Sequence, residues 1–229
     1  MNTRQLEYNN FISKYIKSFG PSRYRAKNGD DELWREFYRK YSIEVADLPE
    51  ILAKNNKIML EIGSGCGDLI SHYAMENSEY LCIGSDVYKG GLISTLQKVK
   101  EKNLENVGLF FGDGRLLLDA MPENSLKELY ILFPDPWPKA RHANRRIITY
   151  DYLSQILPKI APNGKIICAT DDPAYQTQMQ NVCNLISENS AIKFEEISNP
   201  NGQICYITTK YHRKAIAANR VGKFFILKK

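Results

Sequence analysis

Short apolar runs and amphipathic stretches alternate along the chain from residue 57 onward. Runs of strand length occur at Ile58–Ile62, Tyr80–Ser85, Val107–Gly112, Leu129–Phe133 and Lys165–Thr170. Helical spacing of apolar residues occurs at Leu69–Met75, Gly91–Lys100, Ile148–Leu157 and Ala174–Ser187. Strands that alternate with helices in this way predict a mostly parallel sheet with helices on both faces.

The C-terminal part of the chain departs from this alternation. Phe194–Ile197, Ile204–Lys210 and Lys223–Leu227 have the pattern of short strands, and too few residues separate them for helical crossovers. We therefore expect antiparallel pairing there. The predicted fold class is α/β, a Rossmann-like doubly wound and mostly parallel sheet with an antiparallel C-terminal edge.

Residues 1–30 are polar and basic and lack a clear apolar period. They predict an N-terminal arm that is mobile in isolation, followed by a single domain over residues 31–229. The net charge of +5 is modest, but the positive charge is concentrated in this arm, at 139–146 and at 210–229. Such clusters, more than the total, indicate contact with an anionic partner.

Composition narrows the class only slightly. The apolar fraction of 43% and the charged fraction of 25% are typical of globular proteins. No apolar run is long enough to span a membrane or to form a secretory signal, so we expect a cytoplasmic protein without membrane contact. The five cysteines are scattered without metal-ligand spacing, so we expect them to be mostly reduced and expect no metal site.

A glycine turn follows the first predicted strand. Gly63, Gly65 and Gly67 are spaced as Gly-x-Gly-x-Gly, and Glu61 lies just before them. Glycines between a strand and a helix allow a ligand to approach the backbone closely. A carboxylate at this place repels a dinucleotide pyrophosphate but attracts the sulfonium and ammonium groups of S-adenosylmethionine, so an NAD-dependent oxidoreductase is the least favoured class.

Two further acids follow the second and third strands. Asp86 lies where a nucleoside-binding sheet has an acid for the ribose hydroxyls, and Asp113 lies where an acid can accept the adenine amino group. Taken singly, each is also explained as a turn or helix-capping residue. Because the carboxyl ends of parallel strands meet at one edge, we interpret these acids together as a cofactor site.

The fourth strand ends in a proline-rich loop. Asp135 has a proline on each side and lies between Phe133 and Trp137, whose rings could sandwich a flat ligand. A basic run follows, and its cations are suited to phosphates, although a solvated helix start is the common reason for such runs. The cations are Lys139, Arg141, Arg145 and Arg146. Together these features predict a nucleotide site.

These residues resemble the bacterial-type tRNA (guanine-N7-)-methyltransferases, which have the class I methyltransferase fold. Leu60–Gly67 resembles their cofactor motif, and Phe133–His142 with Arg145 and Arg146 resembles their signature. The resemblance implies Asp135 as the active-site acid and as a cofactor contact, besides Glu61, Gly63, Gly65, Gly67, Asp86 and Asp113. It implies substrate contacts at Lys139, Asp171, Thr209, Lys210, Tyr211 and His212.

Three positions depart from the family pattern. Asp86 stands where a Glu is expected, Asp172 where an aromatic residue is common, and His212 where an acid usually closes the Thr-Lys-aromatic motif. These departures concern the ribose contact of Asp86 and the substrate contact of His212.

The implied reaction transfers a methyl group from S-adenosylmethionine to N7 of a variable-region guanine in tRNA, with S-adenosylhomocysteine as product and no metal. The N7 lone pair needs no general base, so positioning supplies most of the acceleration. We expect a monomer or small homo-oligomer with tRNA as partner. Two alternatives stay open. One is an amino-group methyltransferase acting on adenine or cytosine, because Pro-Asp-Pro-Trp loosely resembles the Asp/Asn-Pro-Pro-aromatic loop of those enzymes. The other is a tRNA-binding module without activity.

Overall fold

The structure, a computed structural model, describes residues 15–19, 25 and 27–229. Its strands are β1 (Ile58–Ile62), β2 (Leu81–Asp86), β3 (Val107–Phe111), β4 (Leu126–Leu132), β5 (Ile160–Thr170), β6 (Lys193–Ile197) and β7 (Lys223–Lys228). Its α-helices are α1 (Asp30–Tyr41), α2 (Leu48–Lys54), α3 (Asp68–Glu76), α4 (Lys89–Glu101), α5 (Gly114–Ala120), α6 (Tyr150–Ile156), α7 (Pro173–Glu188) and α8 (Lys210–Ala217). Short 3-10 helices lie at Val45–Asp47, Ala140–Arg145 and Leu157–Lys159.

The seven strands form one sheet in the order β3-β2-β1-β4-β5-β7-β6. β1 pairs in parallel with β2 and with β4, and the pairs β2–β3 and β4–β5 are also parallel. β7 is antiparallel to both of its neighbours, β5 and β6. The predicted fold class is therefore confirmed. The chain leaves β1 in one direction and returns to its other side with β4, which opens a crevice at the carboxyl ends of these strands.

The central strands are buried on both faces, as parallel strands between helical layers must be. All five residues of β1 are buried. Successive residues contribute to different clusters: Leu60 belongs to one core, while Met59 belongs to the other. In β4, Leu129 and Tyr130 divide in the same way. The sheet thus separates two apolar cores, and their packing fixes the positions of the strand ends.

The predicted strand at Ile204–Lys210 is wrong. The chain turns near residue 202 and runs without strand pairing to α8, which begins at Lys210. Ile204 and Tyr206 are buried in the core that contains Met59, so their alternation reflects packing against that core. The Thr209 hydroxyl caps α8 by accepting the N–H of His212, a helix start that the alternating pattern concealed.

The predicted arm, residues 1–30, lies mostly outside the described residues, and its boundary with the domain stays a prediction. Within the described part of the chain, no helix is both long and apolar enough to cross a bilayer.

Candidate active site

The carboxyl ends of β1 to β4 surround a cavity of about 450 Å³. Gly63, Asp86, Asp113 and Asp135 follow or end four different strands, and all four line this cavity. Tyr211, in the first turn of α8, also lines this cavity. The sheet topology therefore brings together three of the acids and the glycine turn that the sequence predicts.

Backbone geometry explains the glycines. Gly63 has φ of +77°, and no heavy atom lies within 4 Å of the place where a Cβ would be, so the turn exposes bare backbone to the cavity. Gly67 has φ of +72°, and a Cβ there would lie 2.4 Å from Oγ1 of Thr95 in α4. Gly67 therefore permits close helix packing and lies outside the cavity lining. The backbone N–H groups of Gly63 and Ser64 both donate to the carbonyl of Ser85, which ties the turn to β2.

Asp86 holds the glycine turn in place. One carboxylate oxygen accepts the N–H of Gly65 at 2.7 Å, and the other accepts the N–H of Tyr88 at 2.7 Å. Burial raises the pKa of Asp86, and the charge of Asp135 adds to the rise, while these N–H groups oppose it. Each carboxylate oxygen has two acceptor positions, so Asp86 retains capacity for a further donor.

Glu61 is almost completely buried, with 3% of its surface exposed. Its Oε2 atom has no hydrogen-bond partner among the described residues, and neither has the hydroxyl of Ser64. Burial raises the pKa of Glu61 well above its ordinary value, and the charges of Asp86 and Asp68 raise it further. Both residues line a small cavity of about 20 Å³ beside the glycine turn, room for one water molecule. A carboxylate oxygen without a partner there fits a cationic ligand, reached directly or through water.

Asp113 is engaged by an arginine that sequence reasoning missed. The guanidinium of Arg115 donates Nη2–H to Oδ2 at 2.7 Å and Nε–H to both oxygens, and the Arg115 backbone N–H also donates to Oδ1. Both side chains are buried. Most of the acceptor capacity of Asp113 is therefore used inside the protein, which leaves little for an adenine amino group. The Asp-x-Arg spacing at a helix start was the available signal.

Part of the N-terminal segment lies against the same cavity. The carbonyl of Ile16 accepts hydrogen bonds from both Nη groups of Arg115 at 3.2 Å. The carbonyl of Ser18 accepts a hydrogen bond from the indole N–H of Trp137 at 3.2 Å. Ser18 and Phe19 line the cavity. This segment therefore connects the Asp113 side of the site with the loop that follows β4.

The loop after β4 is strained at both aromatic residues. Phe133 has φ of +49° and Trp137 has φ of +44°, a region that costs an L-residue about 1–3 kcal/mol. The Phe133 ring stacks on His212 at 5.0 Å, and the Trp137 ring meets His142 edge-on. The rings therefore anchor the loop in this structure, while the Asp135 side chain between them is exposed and lines the cavity.

The four predicted phosphate contacts have two different environments. Lys139 and Arg141 are exposed, and the Arg145 guanidinium lies over the Trp137 ring at 4.8 Å. Arg146 is buried, and it donates to the carbonyl of Pro136 at 2.7 Å and to Gln178 at 2.8 Å. Arg146 therefore braces the loop from within, while the other three cations lie on or near its surface.

The remaining predicted substrate residues lie around α8. The Asp171 carboxylate accepts the Nε–H of Arg220 at 2.6 Å, and it does not line the cavity. Thr209 caps α8, while Lys210 and Tyr211 line both cavities. The Nδ1 atom of His212 shares a hydrogen bond with the Tyr206 hydroxyl at 2.8 Å, and burial lowers the pKa of His212.

No group of three or more His, Cys, Asp or Glu side chains that could hold a metal occurs within residues 15–19, 25 and 27–229.

The sheet order and the crevice above β1 and β4 define the class I methyltransferase fold. A 30S ribosomal A1408 methyltransferase from an uncultured bacterium has a TM-score of 0.56 and 19% identity, and the match covers 82% of this chain and 94% of that one. The 16S rRNA methyltransferase KamB has a TM-score of 0.58 and 13% identity, over 81% and 94% of the two chains. These likenesses concern the fold alone.

Sequence similarity identifies the family within that fold. Residues 55–224 match the family model described as "Putative methyltransferase". A tRNA (guanine-N(7)-)-methyltransferase of Wolbachia pipientis is 32% identical, over 93% of this chain and 92% of that protein. A protein of the same name from Ruegeria is 30% identical, over 90% and 91%. The chain belongs to the tRNA (guanine-N(7)-)-methyltransferase family.

Some relatives are much longer. A bifunctional methyltransferase of Rickettsia felis is 37% identical over 78% of this chain, but the match covers 33% of that protein. The chain thus spans about a third of the length of this relative.

Proposed function

We propose that this protein transfers a methyl group from S-adenosylmethionine to N7 of a variable-region guanine in tRNA. The observation that carries the proposal is one cavity lined by Asp86, Asp113 and Asp135. Asp135, from the loop after β4 (residues 133–142, the signature loop), lies there beside the acids at the ends of β2 and β3. Family membership supports the same reaction, because the full-length relatives bear that name.

The residues of the β1 and β2 ends fit the cofactor. S-adenosylmethionine supplies a methyl group on a sulfonium, and when guanine takes it the carbon–sulfur bond breaks and its electron pair stays on sulfur. The unpartnered carboxylate oxygen of Glu61 suits the cationic end of that ligand. Asp86 offers its spare acceptor positions to ribose hydroxyls, while the exposed backbone of Gly63 permits close approach.

We assign Asp113 a part other than the predicted adenine contact. Because Arg115 occupies most of its acceptor positions, Asp113 shapes the cavity wall through the start of α5 and the Arg115 guanidinium. A direct bond to the adenine amino group requires Arg115 to release an oxygen. We therefore assign Asp113 a supporting part in cofactor binding.

Asp135 recognises the target base. Its carboxylate can accept the N1–H and N2–H donors of guanine, and its negative charge stabilises the positive charge that the purine gains on methylation. Adenine has no such pair of donors on that edge, so the same acid disfavours it. No proton has to leave N7 before attack, so none of the neighbouring histidines is needed as a general base.

The surface cations hold the RNA. Lys139, Arg141 and Arg145 follow the loop that carries Asp135, so phosphates bound there lie beside the entrance for the base. Arg146, being buried, contributes by bracing that loop. Lys210, Tyr211 and His212 extend the contact surface on α8, and Asp171 is held beside it by Arg220.

The decisive test is incubation with unmodified tRNA and methyl-labelled S-adenosylmethionine, followed by nuclease digestion. We expect label in 7-methylguanosine, and loss of label when the variable-region guanine is replaced by adenine. Label in an amino-methylated adenine or cytosine supports the other enzyme class. Binding of tRNA without affinity for S-adenosylmethionine supports a module without activity.

A further inference from the structure

The first turn of α8 forms part of the cavity wall. Lys210 and Tyr211 line the large cavity, and together with Thr209 they also line the small one beside Glu61. The Cε2 atom of Tyr211 lies 3.7 Å from the place where a Cβ on Gly65 would be, so its ring lies over the glycine turn. How tightly the cavity encloses a ligand therefore depends on how α8 is held.

α8 cannot hold itself there. It has eight residues, too few for a helix to be stable on its own in water. Ala215 is its buried residue, while Ile216 and Tyr211 are each 54% exposed. His212 packs against Phe133 and shares a hydrogen bond with Tyr206, but both contacts are made by this one side chain. Additional attachments must fix its first turn.

Asp68 provides these attachments. Its Oδ2 atom accepts the backbone N–H of Lys210 at 2.8 Å and an Nη2–H of Arg213 at 3.1 Å. Its Oδ1 atom is bonded to the ammonium of Lys98, which also donates to the carbonyl of Cys66 at 2.7 Å. A single carboxylate thus joins the glycine turn, α4 and α8.

The electrostatics favour this arrangement at neutral pH. Burial opposes ionisation of Asp68, but the hydrogen bond and charge of Lys98, with the Lys210 N–H and Arg213, outweigh it and lower its pKa. The side chain is 15% exposed, so salt screens these contacts less than it screens surface pairs. Charge-assisted hydrogen bonds are also stronger than neutral ones.

We propose that Asp68 is a positioning residue that holds the first turn of α8, and with it Tyr211, against the glycine turn, so that the cavity closes on its cofactor. This inference rests on the S-adenosylmethionine binding in the proposed function. Asp68 acts through α8, because Lys98, Lys210 and Arg213 already use three of its four acceptor positions.

Asp68→Asn tests this role, because asparagine keeps the shape and an acceptor for the Lys210 N–H but loses the charge. We expect the Kd for S-adenosylhomocysteine and the KM for S-adenosylmethionine to rise about tenfold, the size of one lost charge-assisted hydrogen bond. We expect kcat at saturation to change less than about twofold, and amide exchange in residues 210–217 to accelerate. Glu50→Gln removes an exposed carboxylate that pairs with Lys54, and serves as the matched control without effect.

Arg213→Met removes one of the two contacts between Asp68 and α8, leaves the Lys210 N–H contact, and tests the same link should Asp68→Asn fold poorly. We expect a rise of about threefold in the Kd, and a less than additive effect in the double variant. A fall in kcat at constant KM, with slow exchange preserved in α8, overturns the proposal, as does unchanged affinity in both variants. If the wild type itself binds no S-adenosylhomocysteine, the proposed function fails instead.

Discussion

The acids on the two sides of the candidate active site lie in opposite environments. On the glycine-turn side, Glu61 is 3% exposed, and Asp86 is bound by two backbone N–H groups. On the signature-loop side, Asp135 is exposed, and its loop is strained at Phe133 and Trp137. The first side is built into the sheet, whereas the second is a surface loop that the buried Arg146 holds through the carbonyl of Pro136. A small ligand that must be enclosed suits the first, and a base on a large RNA suits the second.

The largest expected effect concerns the exposed acid. Asp135→Asn removes the charge that stabilises the cationic purine and turns an acceptor into a donor facing guanine N1–H. We expect kcat to fall about 10²- to 10³-fold, as for loss of one preorganised electrostatic contact. Single-turnover kinetics with labelled cofactor measure it. The Kd for S-adenosylhomocysteine should stay within about twofold, and a large loss of cofactor binding would place Asp135 among the cofactor contacts instead.

The second effect concerns the brace behind the loop. Arg146→Met leaves the carbonyl of Pro136 and the side chain of Gln178 without their donor. We expect a loss of about 3 kcal/mol in the free energy of unfolding, from two hydrogen bonds to a buried charge. The unfolding midpoint should fall by about 6–12 °C in a scan. An unchanged midpoint with weakened tRNA binding would instead make Arg146 a phosphate contact, as the sequence predicts.

The third effect concerns the buried acid. Glu61→Gln should weaken S-adenosylhomocysteine binding about tenfold, because the cationic end of the ligand favours the ionised form of Glu61 and loses this charged partner. Its folded-state pKa is raised, so its contribution to stability is present below the ordinary carboxyl pKa and is lost as pH rises through the folded value. The ligand-free variant should therefore become more stable than the wild type as pH rises. Denaturant unfolding across pH 5–9 measures this, and parallel curves would contradict it.

The smallest effect concerns a surface cation. Arg141→Ala should change the free energy of unfolding by less than about 0.5 kcal/mol, because the side chain is exposed. It should weaken tRNA binding a few-fold and reduce the slope of log Kd against log salt by about one unit. Fluorescence anisotropy at several salt concentrations measures the slope. An unchanged slope would mean that Arg141 binds no phosphate.

Local sequence pattern was sufficient for the strands of the sheet, including β6 and β7, but not for the segment between these two strands. β1 is predicted residue for residue, because an apolar run of strand length before a glycine turn has few alternative structures. Ile204–Lys210 is mispredicted, because burial against a core and pairing in a sheet produce the same alternation. The Thr209 cap favours a helix start at a place where the alternating pattern favours a strand, and tertiary contacts decide which of the two forms.

Side-chain partners were predicted less well than side-chain positions. The sequence brings Asp86, Asp113 and Asp135 to one edge, because strand ends of a parallel sheet share it. The sequence prediction missed the pair of Arg115 and Asp113, for which the Asp-x-Arg spacing was the available signal. It also did not distinguish the buried Arg146 from the exposed Arg141. A basic residue in such a run looks the same in the sequence whether its side chain faces water or binds a backbone carbonyl. Only the fold therefore distinguishes Arg141 from Arg146.

The most direct test of N7 as the methyl acceptor uses a tRNA in which the variable-region guanosine alone is replaced by 7-deazaguanosine. This base keeps the N1–H and N2–H donors for Asp135 but has a carbon in place of the nucleophilic nitrogen. We expect tRNA affinity to be unchanged within about twofold, because phosphate contacts supply most of it, and methyl transfer to be abolished. Methyl incorporation at the undiminished rate would show that the protein modifies another atom.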